Sequence, residues 1–269
     1  MAPSCTDSTV PTLEETLRAI GLPESHADAP ALLAADVRAL WLGDEDVGHR
    51  LLARAIERHP SHADLNELCA RAALAAGDPR AGYEYVAQAL AEGGADGPRL
   101  ALMGQCLVRA DLENPGVLAV ARAAEYDNLP AWLRAQTELL ERVERARAVV
   151  DESVRLEASS GPGAALDWIC SHHDDLSLRT FCLRRRRGLL EALLERWTDA
   201  FDTLSLLSLC ARDDVVLLLC FADVCLQAGE VDLALEPLQH ARRFPVPEPA
   251  TSLLEARIRE AVANRAKNS

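Results

Sequence analysis

The sequence predicts an all-α fold, an α-α superhelix of antiparallel helix pairs, and three observations carry that prediction. Of its 269 residues, 49% are hydrophobic but only 4% aromatic. The apolar content is mostly Leu, Ala and Val, and Leu and Ala are strong helix formers. Stretches such as LLARAIER (residues 51–58) and RRRRGLLEALLER (184–196) hold little Gly, Pro or Thr. The third observation is self-similarity at an offset of 34 residues, the kind of period that marks stacked repeats.

The repeat sets the elements in order. Gly43-Asp44 recurs as Gly77-Asp78, Gly48 as Gly82 and then Gly116, and Ala55 as Ala89. Each unit reads helix, short turn, helix. A Gly closes the first helix, where a left-handed residue is favoured, and Asp44 or Asp78 opens the second, accepting orphan N–H bonds. In the third unit Asp111 comes one residue early, which predicts a turn one residue longer. Pro60 stops the second helix of the first unit.

This pattern resembles the tetratricopeptide repeat (TPR) family. The family's small position in the first helix falls on Ala70 and Gly104, and on Asp36 in the first unit, a departure. The turn glycine falls on Gly43 and Gly77, and the second-helix small positions on Gly48, Ala55, Gly82 and Ala89. Towards the C-terminus the pattern returns. Ala222, Gly229, Ala234 and Ala241 take the same places, with Gly188 and Ala200 in register 34 residues upstream. A weaker unit spans 146–180, with Ser160-Gly161 at its turn.

Between the halves, 131–158 contains neither Gly nor Pro and carries apolar residues at helical spacing. It reads as a long helix, or two with a hidden break. The predicted organisation is an N-terminal extension and capping helix (1–28), three units (29–130), a connecting helix (131–160), further units (161–248) and a C-terminal capping helix (249–269), hence two stacks joined by a long helix. Thr12 and Glu15 form a capping-box signature at the first helix.

The formal net charge of −14 disfavours nucleic acid, whose binding rests on basic side chains neutralising phosphates, and likewise an anionic membrane surface. No secretory signal is legible, so a cytoplasmic location is expected and the eight cysteines read as reduced thiols.

The densest polar cluster is WICSHHDDL (168–176). Cys170, His173 and Asp174 are metal-ligating types, but a metal site needs three or four converging ligands, and no second Cys/His cluster exists. The stretch reads as a helix end and the cap of the next helix. His172-x-Asp174 also spells a pair used by iron oxygenases, yet the same spacing recurs at His26-Asp28, His62-Asp64 and His173-Asp175 and is uninformative. Arg184 to Arg187 read either as an anion clamp or as intramolecular pairs, Arg187 with Glu191 at i,i+4. No phosphate loop or nucleophile motif is present. The expectation is no enzyme, no cofactor and no metal.

By the TPR resemblance, the concave groove is lined by Leu33, Val37 and Leu40, then Glu67, Arg71 and Leu74, then Ala101, Gln105 and Val108, with Arg185 and Leu189 in the second half. The Lys/Asn clamp of chaperone-binding TPRs is absent. The expected function is a protein- or peptide-binding scaffold or adaptor acting through that groove. The alternatives are an acidic chaperone or accessory subunit, and a metal-dependent enzyme built on the 170–175 cluster. The partner is a protein or peptide, with homo-oligomer formation left open.

Overall fold

The computed structural model describes residues 11–172, 180–244 and 248–268, and every regular element among them is a helix. Helix α1 (Leu13–Ala19) opens with the Thr12/Glu15 capping box in place. A short 3-10 turn (Glu24–Asp28) leads to three hairpins: α2 (Pro30–Gly43) with α3 (Glu45–Arg58), α4 (Ala63–Ala75) with α5 (Pro79–Gly93), and α6 (Gly97–Arg109) with α7 (Glu113–Ala123). Asp44 and Asp78 cap α3 and α5, accepting from Val47 N at 3.1 Å and Ala81 N at 3.0 Å. His26 of the 3-10 turn contacts Asp36 at 2.6 Å. The acidic departure from the small position thus ties the N-terminal segment to the first hairpin.

The turns correct two expectations. Gly43 ends α2 without a positive φ, whereas Gly77 takes φ 81°. Asp111 stands 34 residues after Gly77 and takes the same left-handed conformation, φ 63°. The turns at 76–78 and 110–112 therefore have equal length, and the expected extra residue is absent. The cap position moves to Leu112, which makes no side-chain cap. The second half repeats this device at Glu195 (φ 59°) and Gly229 (φ 85°), again 34 apart.

The stretch 131–160 is broken at Ala135-Gln136 into α8 (Ala131–Arg134) and α9 (Thr137–Ser160). More than a connector, α9 packs against α10 (Pro162–Ser171) as the first hairpin of the second stack. It is followed by α11 (Phe181–Leu193) with α12 (Trp197–Cys210), then α13 (Val215–Gln227) with a 3-10 turn (Val231–Leu233) and α14 (Leu235–Ala241). The closing helix α15 (Glu248–Asn268) lays Leu254 and Ile258 on the last hairpin. No helix among the described residues is long and apolar enough to cross a membrane.

In the first stack α2 packs on α4 and α4 on α6, whereas α3, α5 and α7 make at most marginal contact with one another. The array therefore curves toward its first-helix side. The second stack docks on the opposite side, α7 lying against α11 and α12. Tyr83 of α5 donates its hydroxyl to Leu209 O at 2.9 Å. One hydrophobic core runs across this junction, from Leu100, Leu107 and Leu118 to Leu204, Leu207 and Phe221.

Candidate partner-binding face

The second stack docks mainly on α5 and α7, with a smaller contact to α6, and exposed residues remain on α2, α4 and α6. The groove residues divide there by depth. Leu33 and Val37 are fully buried in the core of the first hairpin, Leu74 is buried, and Leu40 is half-buried against the same core. A shape that packs α2 on α4 must sink these residues between the helices, so they support the face without being open to a partner. Ala101 is likewise buried. Gln105 and Val108 of α6 are exposed, and Arg71 is about half-exposed at 48%.

The charged centre of the face is internally paired. Arg71 donates to Glu67 Oε1 from Nε (3.1 Å) and Nη2 (2.9 Å). The largely buried Arg99 donates to Asp64 Oδ1 at 2.9 Å and to Gly93 O at 3.2 Å, with its Nε 3.5 Å from Glu67. Arg99 was not singled out from the sequence. An Arg directly after a Pro at a helix start gives no hint that it will cross to the preceding repeat.

At the far end of the face lies a cavity of about 510 Å³. Val108, Val117, Val120 and Leu139 form its apolar side; Gln136, Thr137, Glu138 and Arg142 form its polar side. It exists because the chain breaks at Ala135-Gln136, so α9 starts beside α6 and α7 without closing against them as a further repeat would. Only Val108 of this set was legible as a groove residue, since the others depend on where α9 leaves the stack.

Arg185 and Leu189 lie on α11 in the second stack and are not brought to this face. Arg185 binds Asp214 through Nε (2.5 Å) and Nη2 (3.1 Å), and Asp214 caps α13 by accepting from Leu217 N at 3.1 Å. The Arg184–Arg187 run spreads to different neighbours. Arg184 donates to Thr203 O, Arg186 to Ser153 Oγ at 2.8 Å and Arg187 to the fully buried Glu191 at 2.7 Å. Successive helical residues point in different directions, and here each finds an intramolecular partner.

In WICSHHDDL, Ile169 is buried and Trp168 donates its indole N–H to Val149 O at 3.1 Å. Cys170 is exposed, and His172 Nδ1 lies 2.9 Å from Trp168 O. A carbonyl only accepts, so His172 carries a proton on Nδ1. His173, Asp174 and Asp175 lie outside the described residues. Among the described residues no three His, Cys, Asp or Glu side chains converge. Burial pushes the Cys69, Cys210 and Cys225 thiols up to about 12, far from a reactive thiolate.

No family model matches the chain, and no curated protein matches it. Among solved structures, it is similar to the TPR domain of P58(IPK), determined by crystallography at 2.5 Å. Identity is 15%, and the match covers 96% of this chain and 72% of that one, at a TM-score of 0.39. Among the described residues, the hairpins, the 34-residue turn register and the packing of first helices on one another form a helical, TPR-like array of helix pairs.

Proposed function

We propose that the chain is a non-enzymatic scaffold that binds a segment of a partner protein along the inner face of its first stack. The single observation behind this reading is the open cavity at the end of that face. Its apolar wall is Val108, Val117, Val120 and Leu139; Gln105 precedes Val108 by three residues on α6, and Arg71 lies on the neighbouring α4, both exposed. Such a surface takes an apolar side chain for affinity and reads its neighbours by hydrogen bonding. The net charge of −14 favours a partner segment of neutral or basic character.

The test is affinity capture with the native chain, Val108→Arg and Arg71→Glu, each checked for helicity and thermal unfolding. The same partner captured by the native chain should be lost from Val108→Arg and weakened about tenfold or more by Arg71→Glu. Full retention by a folded Val108→Arg chain would sink the assignment.

A further inference from the structure

A second, smaller cavity of about 210 Å³ lies in the second stack between α12, α13 and α14. One wall is apolar: Phe201 and Phe221, with ring centroids 5.8 Å apart and planes 33° from parallel, together with Leu218, Leu233 and Pro237. The other holds Ser205, Ser208, Arg212, Glu236 and His240. An apolar cavity into which a few polar groups converge is the usual form of a small-ligand site.

The polar wall is arranged for a particular chemistry. Arg212 is 11% exposed and its guanidinium lies over the Tyr83 ring, 4.9 Å from the centroid. It donates to His240 Nε2 at 2.7 Å and to Glu236 Oε1 at 3.0 Å, with Glu84 at 3.9 Å. Arginine has no acceptor, so His240 Nε2 is bare and the neutral ring carries its proton on Nδ1. Burial, and then Arg212 and Arg243, hold the imidazole down at about 4, outweighing Glu236. Arg212 and Arg243 thus stand at this end of the cavity together with Glu236 and Glu84. Glu236 is 67% exposed, so it can swing into water, whereas Arg212 is held by Tyr83 and His240. The serine hydroxyls donate to Asp202 O and Ser205 O, leaving their oxygens free to accept.

We propose that this cavity binds an aromatic or branched apolar group bearing a carboxylate. The apolar group lies against Phe201, Phe221 and Leu218, and the carboxylate displaces Glu236 from Arg212. Arg forks match carboxylates in two-point geometry. The ligand's source is either the C-terminal residue of a peptide or a free aryl-alkanoic acid. The cavity lies in the second stack, apart from the first-stack face, and does not depend on the reading given to that face.

Calorimetric titration tests it with four probes: 3-phenylpropionate, 3-phenylpropionamide, a hexapeptide ending in free Phe, and the same hexapeptide amidated. At least one free acid should bind one-to-one, with its amide at least tenfold weaker. Arg212→Gln should weaken the acid at least tenfold, and Ser205→Phe, which fills the cavity, should abolish binding. Leu233→Glu at the half-exposed rim should weaken it without disturbing the Tyr83 contact. Binding of the peptide acid alone identifies a chain terminus, and of phenylpropionate alone a small acid; both uphold the site. No saturable binding of either acid, equal binding of acid and amide, or full binding by a folded Ser205→Phe chain would overturn it.

Discussion

Arg122 of α7 and Asp213, in the turn between α12 and α13, form a two-point ion pair at 2.5 and 2.6 Å across 91 residues of sequence. Both side chains are 7% exposed. Arg122 also donates to Cys210 O at 3.2 Å and lies 4.8 Å from the Phe181 ring centroid. Burial works against its charge, but the Asp213 hydrogen bonds and charge prevail and raise its pKa above the ordinary arginine value. This pair locks the first stack to the second.

Removing one partner strands the other charge in the junction, at a cost of about 3–5 kcal/mol. Arg122→Leu and Asp213→Leu should each lower the unfolding free energy from urea titration by that amount. The double variant should be clearly more stable than the sum of the two losses, because no unpaired charge remains. Additive losses would show that the two side chains are not coupled.

His240 predicts a pH dependence. Its folded pKa of about 4 lies below the ordinary value near 6.5. The unfolded chain therefore binds more protons between these values, and stability rises with pH there. The contribution is fully present above about pH 6.5 and is lost as pH falls toward 4. For this one group the loss between pH 7 and 5 is about 1–2 kcal/mol. His240→Gln, which still accepts from Arg212, should be less sensitive over that window in paired chemical unfolding at the two pH values. An identical slope would remove His240 from the account.

Gly104 and Gly116 mark the crossing of α6 and α7. A Cβ on Gly104 would stand 2.8 Å from Gly116 O, and one on Gly116 would stand 2.9 Å from Gly104 O. Backbone cannot yield as a side chain does, so Gly104→Ala should cost about 1–3 kcal/mol. Gly43→Ala is the control: nothing lies within 4 Å and φ is not positive. There the better helix former should be neutral or stabilise by up to about 1 kcal/mol.

Glu195 occupies a left-handed turn position that Gly229 fills one repeat later. The Cβ clash of a non-glycine residue there costs about 1–2 kcal/mol, partly offset by the greater unfolded-state freedom of Gly. Glu195→Gly should raise the thermal midpoint, corresponding to about 0.5–1 kcal/mol. Asp111→Gly should gain less, since Asp tolerates this conformation better than Glu. The reverse order would contradict the strain assigned to Glu195.

Local rules made much of the helical framework legible in the sequence. The Thr12 box, the Asp44 and Asp78 caps and the hairpins built on the 34-residue offset depend on residues three to thirty-four apart, and those spacings survive folding unchanged. The same reading mistook Asp111 for a shifted cap, because Asp serves both as a cap and as a left-handed turn residue. Only the backbone φ distinguishes the two roles.

The candidate sites were less legible. Register placed Leu33, Val37 and Leu74 on the inner side of their helices but could not say that helix packing would bury them. It grouped Arg185 with Arg71, although the two lie on different stacks. The sequence by itself determined helical hairpins, their phase and an acidic surface, because these follow from periodicity and composition. Only the tertiary structure decided that the second stack folds back onto α5 and α7. That docking buries Arg122 with Asp213 and sets Arg212 over Tyr83, through contacts between residues 88 to 129 positions apart. Pairings at that range depend on how two surfaces meet, which local spacing does not encode.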